Sequence, residues 1–251
     1  MYLRIRSALR AYGVPWNSQL PIHPLRKLIL PSEEFPSSAS VIYLFLLEHS
    51  YKPLSITTVW AKDLNEDVHV LFSDQIWGMF KLSSKNPNHQ MIHWKLLHRV
   101  YLTPMKRFHM NLSSSPKCNL CSQGSLGTFL HFFWECPSLS PFWTLLSQDL
   151  SYLLGTEICL TPRHFFMNDF WDLTLSVQQR CLLLAALTAA KKLLVNRWNP
   201  PHTMDRRTWA VYLLDIILME LSTSRIHGSN VKTVNLWHSS FNVVSSFLKS
   251  L

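Results

Sequence analysis

Three cysteines and one histidine lie close together in the stretch CNLCSQGSLGTFLHFFWECP, residues 118–137. They are Cys118, Cys121, His131 and Cys136, spaced as C-x2-C-x9-H-x4-C. Three thiolates and one imidazole are a common ligand set for structural Zn²⁺, which prefers tetrahedral coordination by sulfur and nitrogen. The spacing therefore predicts a structural zinc site. All four positions would be filled by protein, which argues against a catalytic zinc ion.

The same stretch could instead contain a disulfide or a metal-free core helix. A disulfide is disfavoured, because the five cysteines are an odd number and no secretory signal is visible, so a reducing compartment is expected. The stretch could also be an aromatic core helix that carries buried cysteines and a core histidine, since free cysteine is often buried. Four ligand-type residues in order, two of them in a CxxC pair, favour the metal.

A second metal-like pattern is HQMIH at 89–93. It places two histidines four positions apart on a predicted helix, as in HExxH metalloproteases. The second position is Gln90, so the glutamate that acts as general base is missing. We interpret HQMIH as a helix face.

The sixty residues between Asp74 and Glu135 contain no acidic residue, although average composition predicts roughly seven. The same stretch carries seven Lys or Arg and five His, in a chain of net charge +9 and pI about 9.5. Cations on phosphates and aromatic rings on unpaired bases are typical of nucleic-acid binding, although any single aromatic residue could equally belong to the core. The predicted nucleic-acid-binding residues are His93, Trp94, Lys95, His98, Arg99, Tyr101, Lys106, Arg107 and Lys117.

A second basic group could extend this surface, or could equally be a solvated helix end. It consists of Lys191, Lys192, Arg197, Arg206 and Arg207 around the Asn-Pro-Pro sequence at 199–201.

The elements that must position these residues are helices. Apolar residues at helical spacing, with capping residues and prolines at the ends, predict helices at 57–64, 73–80, 88–101, 140–155, 176–198 and 205–228, and one at the C-terminus. Thr103 is a predicted cap for a further helix that begins at Pro104, and Asp205 for the helix at 205–228. Thr128 is a predicted cap for a short helix that carries His131 and ends near Cys136, where Pro137 favours a bend that would bring these two residues together. No convincing strand pair is visible. The predicted fold is mainly α, an irregular helical domain with a small Cys3His element and little or no β structure.

Composition suggests three segments: an N-terminal helical and Pro/Ser-rich segment (1–56), a basic zinc-binding domain (57–155) and a C-terminal helical segment (156–251). The longest apolar run, residues 181–190, is about half a membrane span, so no membrane partner and an intracellular, nuclear or cytoplasmic location are expected. Low charge and ten tryptophans favour an alternative, in which apolar faces such as 237–251 dock on a partner protein.

Several of these motifs together resemble a known family. The motifs are HWKLLHRVYLTPMKRF, followed by C-x2-C, GTFLHFFWECP and FW. In these motifs the chain is similar to the C-terminal region of the reverse-transcriptase protein of LINE-type (non-LTR) retrotransposons. VWAKDL upstream, and LTAAKKLLVNRW and LDIILMELSTSR downstream, extend the similarity. The resemblance implies that Cys118, Cys121, His131 and Cys136 hold zinc in a zinc-knuckle-like, nucleic-acid-binding element.

The resemblance covers only the final part of such a protein. No YADD or FADD polymerase motif and no endonuclease set of acidic and histidine residues occurs in the chain. We therefore expect no catalysis by these residues alone. RNA of the element, or DNA, is the expected partner, together with a polymerase portion absent from this chain. This hypothesis allows three forms of the chain: a truncated copy of the element, a fragmentary gene model, or a decayed remnant without selected function.

Overall fold

The computed structural model describes residues 55–67, 84–196 and 204–251. Contacts within the chain separate Met1–Pro53 from Leu54–Leu251, and every described residue belongs to the second unit. Most of the predicted N-terminal segment, the predicted helix at 73–80 and the Asn-Pro-Pro sequence lie outside the described residues. Within the second unit, helices on both sides of residue 155 pack on one another.

Helices make up about two thirds of the described residues, which confirms the mainly α prediction. Its only extended pairing is an isolated antiparallel bridge between Lys117 and Leu126. A short π-helix, here called the π-turn, spans His131–Glu135. The α-helices are α1 (Ser55–Leu64), α2 (Pro87–Leu97), α3 (Pro104–His109), α4 (Ser140–Leu154), α5 (Pro162–Met167), α6 (Val177–Asn196), α7 (Arg206–Ile226) and α8 (Val231–Ser250).

Side-chain caps fix where several helices begin. Asn86, Thr103 and Thr161 each accept a hydrogen bond from a backbone N–H of the first turn of α2, α3 and α5, and each is followed by a proline at the first helical position. Asp205 caps α7 in the same way, by accepting from two backbone N–H groups. The predicted caps Thr103 and Asp205 are therefore confirmed.

Helix α6 lies at the centre of the packing, against α2, α4 and α7. It is apolar on nearly all faces, as expected for a helix surrounded by others, and twelve of its twenty residues are buried. Trp209 of α7 is 1 % exposed, and its indole N–H donates to the backbone oxygen of Ala186 at 3.0 Å. Helix α8 packs mainly on α7. None of the described helices combines the length and apolar character that crossing a lipid bilayer requires.

Buried aromatic rings connect this helical core to the cysteine-rich segment. Trp60 of α1 lies 4.9 Å from Phe166 and 5.9 Å from Phe129, measured between ring centroids. Phe129 in turn lies 4.8 Å from Phe133 in the π-turn. The aromatic residues of the segment thus belong to the main hydrophobic core, and they anchor the element that carries the four metal-ligand candidates.

Helix α2 ends earlier than predicted. The prediction extended it to residue 101, but it ends at Leu97, with His98 as its C-cap. Arg99 then adopts the left-handed conformation, with φ of 53°, which interrupts α-helical geometry. Its guanidinium lies 3.8 Å above the ring of Trp60 and 2.6 Å from a carboxylate oxygen of Asp63. These contacts with α1 compensate for the strain and turn the chain toward α3.

Candidate metal centre

The structure brings the four predicted ligands together. One potential ligand atom from each of Cys118, Cys121, His131 and Cys136 lies within 4.8 Å of every other. The Sγ atoms of Cys118 and Cys136 are 3.9 Å apart, and Sγ of Cys121 is 3.5 Å from Nε2 of His131. The cysteines are free, and 3.9 Å is far from the roughly 2.05 Å of a disulfide bond.

The two distances between individual ligand atoms, out of six such pairs, match those of a tetrahedral zinc ion. With Zn–S bonds of about 2.3 Å and a Zn–N bond of about 2.0–2.1 Å, a tetrahedron places two sulfurs about 3.8 Å apart and a sulfur and a nitrogen about 3.6 Å apart. Both values lie within about 0.2 Å of the distances observed. The donor set of three sulfurs and one nitrogen also suits zinc, whereas magnesium and calcium prefer oxygen ligands.

A small hairpin holds the first two cysteines. The backbone N–H of Cys118 donates to the oxygen of Ser125, and that of Gly127 donates to the oxygen of Pro116, both at 2.8 Å. The chain reverses between these pairs through Gly124, whose φ of 69° favours glycine. Sγ of Cys118 accepts from the backbone N–H of Leu120 at 3.4 Å. The reversal places both thiols on the side that faces the π-turn.

The π-turn brings His131 and Cys136 together. Five positions along an α-helix rotate a side chain by about 500°, which leaves the two residues roughly 140° apart. Here the backbone N–H of Cys136 donates to the oxygen of His131 at 2.8 Å, an i→i+5 bond that widens the turn. Cys136 then leaves the helix with ψ of 125°, as expected before Pro137. Thr128 caps the segment by accepting from the N–H of His131, as its position before the helix predicted.

The thiols differ in their protonation equilibria. The pKa of Cys121 is lowered, chiefly because its sulfur accepts a hydrogen bond from the backbone N–H of Gln123. Burial raises the pKa of Cys136 to about 11, and nearby Cys118 adds to that rise. A buried thiolate beside a second sulfur requires compensation by a cation, which a divalent metal ion would provide.

Three contacts fix the metal centre to its surroundings. Gly127 packs so closely on Pro104 that a Cβ atom at Gly127 would lie 2.7 Å from Cβ of the proline ring. The oxygen of Gly127 also accepts from the N–H of Met105 at 3.2 Å, which joins the hairpin to the start of α3. The hydroxyl of Ser138 donates to the oxygen of Leu120 and joins the hairpin to the chain after the π-turn.

One predicted nucleic-acid-binding residue is buried. His93 is 2 % exposed, and its Nδ1 lies 2.9 Å from Nζ of Lys191, which is itself 1 % exposed. The ammonium of Lys191 also donates to Oδ1 of Asn168 at 2.6 Å. Burial lowers the pKa of His93 and of Lys191 well below their usual values, and Lys191 lowers that of His93 further. His93 therefore has a structural position in the core and is removed from the binding surface.

Two further predicted residues are largely engaged inside the fold. The side chain of Arg99 is 13 % exposed and contacts Trp60 and Asp63. Tyr101 is partly buried, with its ring 6.0 Å from that of Phe133 in an edge-on contact. Both residues connect elements of the core, so neither is free to bind a phosphate or a base without breaking these contacts.

The remaining predicted residues are accessible. Trp94 is 41 % exposed, and its ring lies 4.4 Å from that of His98, one turn further along. Lys95 lies on the same helix and is partly exposed. Lys106, Arg107 and Lys117 are exposed; the ammonium of Lys106 donates to the oxygen of Arg99, while Arg107 and Lys117 form no ion pair with any described carboxylate.

Arg107 and Lys117 line a cleft of about 350 Å³ between α3 and the metal-binding hairpin. The sequence did not indicate this cleft, because its walls come from segments that only the hairpin fold brings together. The complete lining is Leu102, Pro104, Arg107, Ser113, Ser115, Lys117, Cys118, Asn119 and Phe132.

The second basic group does not form one surface. Lys191 is buried, and Arg206 binds the buried carboxylate of Asp149 through two nitrogens. Lys192 lies with its ammonium 4.6 Å from the centre of the Tyr212 ring. Arg207 is exposed, and Arg197 lies outside the described residues.

No protein-family model matches this chain, so the resemblance to retrotransposon proteins stays a prediction.

Proposed function

We propose that this protein is a helical nucleic-acid-binding module, stabilised by one structural zinc ion, that binds RNA or DNA and contributes no polymerase or endonuclease site of its own. The observation that carries the proposal is the position of the Cys3His centre beside the cations Arg107 and Lys117. Both cations are exposed and without a described carboxylate partner, in a stretch of sequence that contains no acid.

The role of zinc in the proposal is structural. Cys118, Cys121, His131 and Cys136 would occupy all four positions of a tetrahedron, which leaves no site for an activated water molecule. The ion would hold the hairpin against the π-turn, and so would maintain the wall that carries Lys117. Zinc acts on nucleic-acid binding only by keeping this wall in place.

The physical basis of binding is electrostatic. Cations that contact phosphates release condensed counterions, so affinity falls as salt rises. Acidic side chains next to such cations would compete with phosphate for them, and the sequence from 75 to 134 provides none. The exposed ring of Trp94, in contact with His98, adds a surface on which an unpaired base could stack.

The family resemblance extends this proposal to a biological setting. As part of a LINE-type reverse-transcriptase protein, the module would hold element RNA, or target DNA, for a polymerase portion that this chain does not include. Such a protein acts inside the cell, in the nucleus or the cytoplasm. The charge pattern and the metal centre favour nucleic-acid binding independently of this setting.

A salt titration tests the binding proposal. The full chain, purified with zinc, is mixed with a fluorescein-labelled oligouridylate of twelve nucleotides, and anisotropy is measured between about 50 and 300 mM salt. We expect the logarithm of the affinity to fall linearly with the logarithm of salt, with a slope of about −0.7 for each phosphate contacted. Absence of binding, or an affinity that does not change with salt, would refute the proposed function.

A further inference from the structure

The cleft between α3 and the metal-binding hairpin has the features of a ligand site. We propose that it binds a single phosphate-bearing nucleotide of an unpaired strand, with Arg107 and Lys117 on the phosphate. This inference rests on the proposed function and adds to it a defined site and the kind of nucleic acid bound.

The Lys, Arg, Asp and Glu side chains that face the cleft are all basic. Among the described residues that line it, these are Arg107 and Lys117, and they come from opposite walls, α3 and the hairpin. A phosphate between them would receive charge-assisted hydrogen bonds from both, and the guanidinium can bind two phosphate oxygens at once. Neither cation has to leave a described carboxylate to do so.

The remaining lining matches the other parts of a nucleotide. The side chains of Ser113, Ser115 and Asn119 offer donors and acceptors for a sugar hydroxyl or a base edge. Leu102, Pro104 and Phe132 form an apolar part of the wall, against which a base or sugar face can lie. A site with an apolar wall and a few polar groups is typical of small-ligand pockets.

The size of the cleft selects an unpaired strand. A volume of about 350 Å³ is near the lower limit of ligand pockets, about 300–1,000 Å³. It suits one nucleotide, whereas the bases of a duplex are paired and cannot enter it without being unstacked. We therefore expect single strands to bind more tightly than a duplex of the same length.

A matched pair of substitutions at Ser115 tests the cleft directly. The hydroxyl of Ser115 accepts from the backbone N–H of Lys117 at 3.3 Å, and both Asp and Asn can replace that acceptor. Ser115→Asp adds a negative charge to the cleft and is expected to weaken binding of the twelve-nucleotide oligouridylate by about tenfold or more at low salt. The asparagine of Ser115→Asn is nearly the same size as aspartate but neutral, so this variant is expected to change binding less than about threefold.

A charge-neutralising pair identifies the two cations. Arg107→Gln/Lys117→Gln should make the salt slope shallower by about 0.7, since the contact with one phosphate is lost. The control Lys232→Gln/Lys249→Gln removes the same charge from exposed positions on α8 and should leave the slope nearly unchanged. Uridine 5′-monophosphate, but not uridine, should displace the oligonucleotide from the unmodified protein.

The outcomes separate the two proposals. Failure of the unmodified chain to bind the oligonucleotide refutes the proposed function and the cleft together. Salt-dependent binding by the unmodified chain, with the cleft variants indistinguishable from their matched controls, refutes the cleft and leaves the function standing. Equal displacement by uridine and its monophosphate, or tighter binding of a duplex than of the single strand, also contradicts the cleft.

Discussion

Gly127 of the metal-binding hairpin packs on Pro104 at the start of α3, and its replacement by alanine should be costly. A Cβ atom there would lie 2.7 to 3.0 Å from three carbons of the Pro104 ring. Ordinary carbon–carbon contacts are about 3.5–4.0 Å, so the hairpin and α3 would have to separate by roughly 1 Å. Glycine is needed here because there is no space for a Cβ atom. Its backbone conformation does not require glycine, since its φ lies outside the left-handed region.

The cost follows from how firmly both sides are held. Gly127 is buried, its N–H donates to the oxygen of Pro116, and its oxygen accepts from the N–H of Met105. Forced overpacking of this kind costs about 1–3 kcal/mol. We therefore expect Gly127→Ala to lower the free energy of unfolding by about 2 kcal/mol, measured by urea denaturation in the presence of zinc.

A double-mutant cycle shows whether the clash is the cause. Pro104→Gly removes the ring and alone should cost about 0.5–1 kcal/mol through the unfolded state. Combined with Gly127→Ala it should cost at least about 1 kcal/mol less than the sum of the two single changes. Additive effects within about 0.5 kcal/mol, or no loss of stability in Gly127→Ala, would refute the reasoning.

Three further predictions concern the metal, pH and the ion pair of Arg206 with a buried carboxylate. Cys136→Ser should weaken Co²⁺ binding, followed by its visible absorption, more than tenfold, whereas Cys159→Ser, an exposed cysteine outside the cluster, should not; equal affinities would contradict the assigned ligands. The pKa of His93 is lowered in the folded protein, so the unfolded chain binds more protons just below pH 6.5 and the free energy of unfolding should fall as pH falls from about 6.5. His93→Gln should flatten this dependence, measured by urea titrations at several pH values. An unchanged dependence of stability on pH in the variant would contradict the prediction. Arg206→Ala should cost about 2–3 kcal/mol in urea denaturation, because it leaves a buried carboxylate unpaired, while its exposed neighbour Arg207→Ala should cost less than about 0.5 kcal/mol; similar losses in the two variants would show that the ion pair with Asp149 is not what stabilises the fold.

The sequence predicted the parts of this structure that depend on local pattern. Helices α6 and α7 follow from apolar periodicity, and the beginnings of α3 and α7 follow from Thr103 and Asp205 as caps. The ligand set followed from residue type and order. The proline after Cys136 indicated a bend, although the i→i+5 geometry that aligns Cys136 with His131 was not predicted.

The errors arose where a charged or polar residue contacts a distant partner. Lys191 follows the apolar run of α6 and looked like the start of a solvated helix end. The run before Lys191 is apolar on nearly every face, and the core surrounds this part of α6. His93 lies ninety-eight positions from Lys191, and Arg99 binds Asp63 across the gap between α1 and α2. Local periodicity contains no information on such pairs.

The four candidate ligands occupy only residues 118 to 136, which bears on the order of folding during synthesis. Closing so short a loop costs little conformational entropy, and every ligand has left the ribosome well before α6 and α7 are complete. The nascent chain can therefore capture a metal ion while most of the helical core does not yet exist. Trp60 and Phe166, which lie on either side of the cysteine-rich segment in sequence, would then assemble around an element that is already closed.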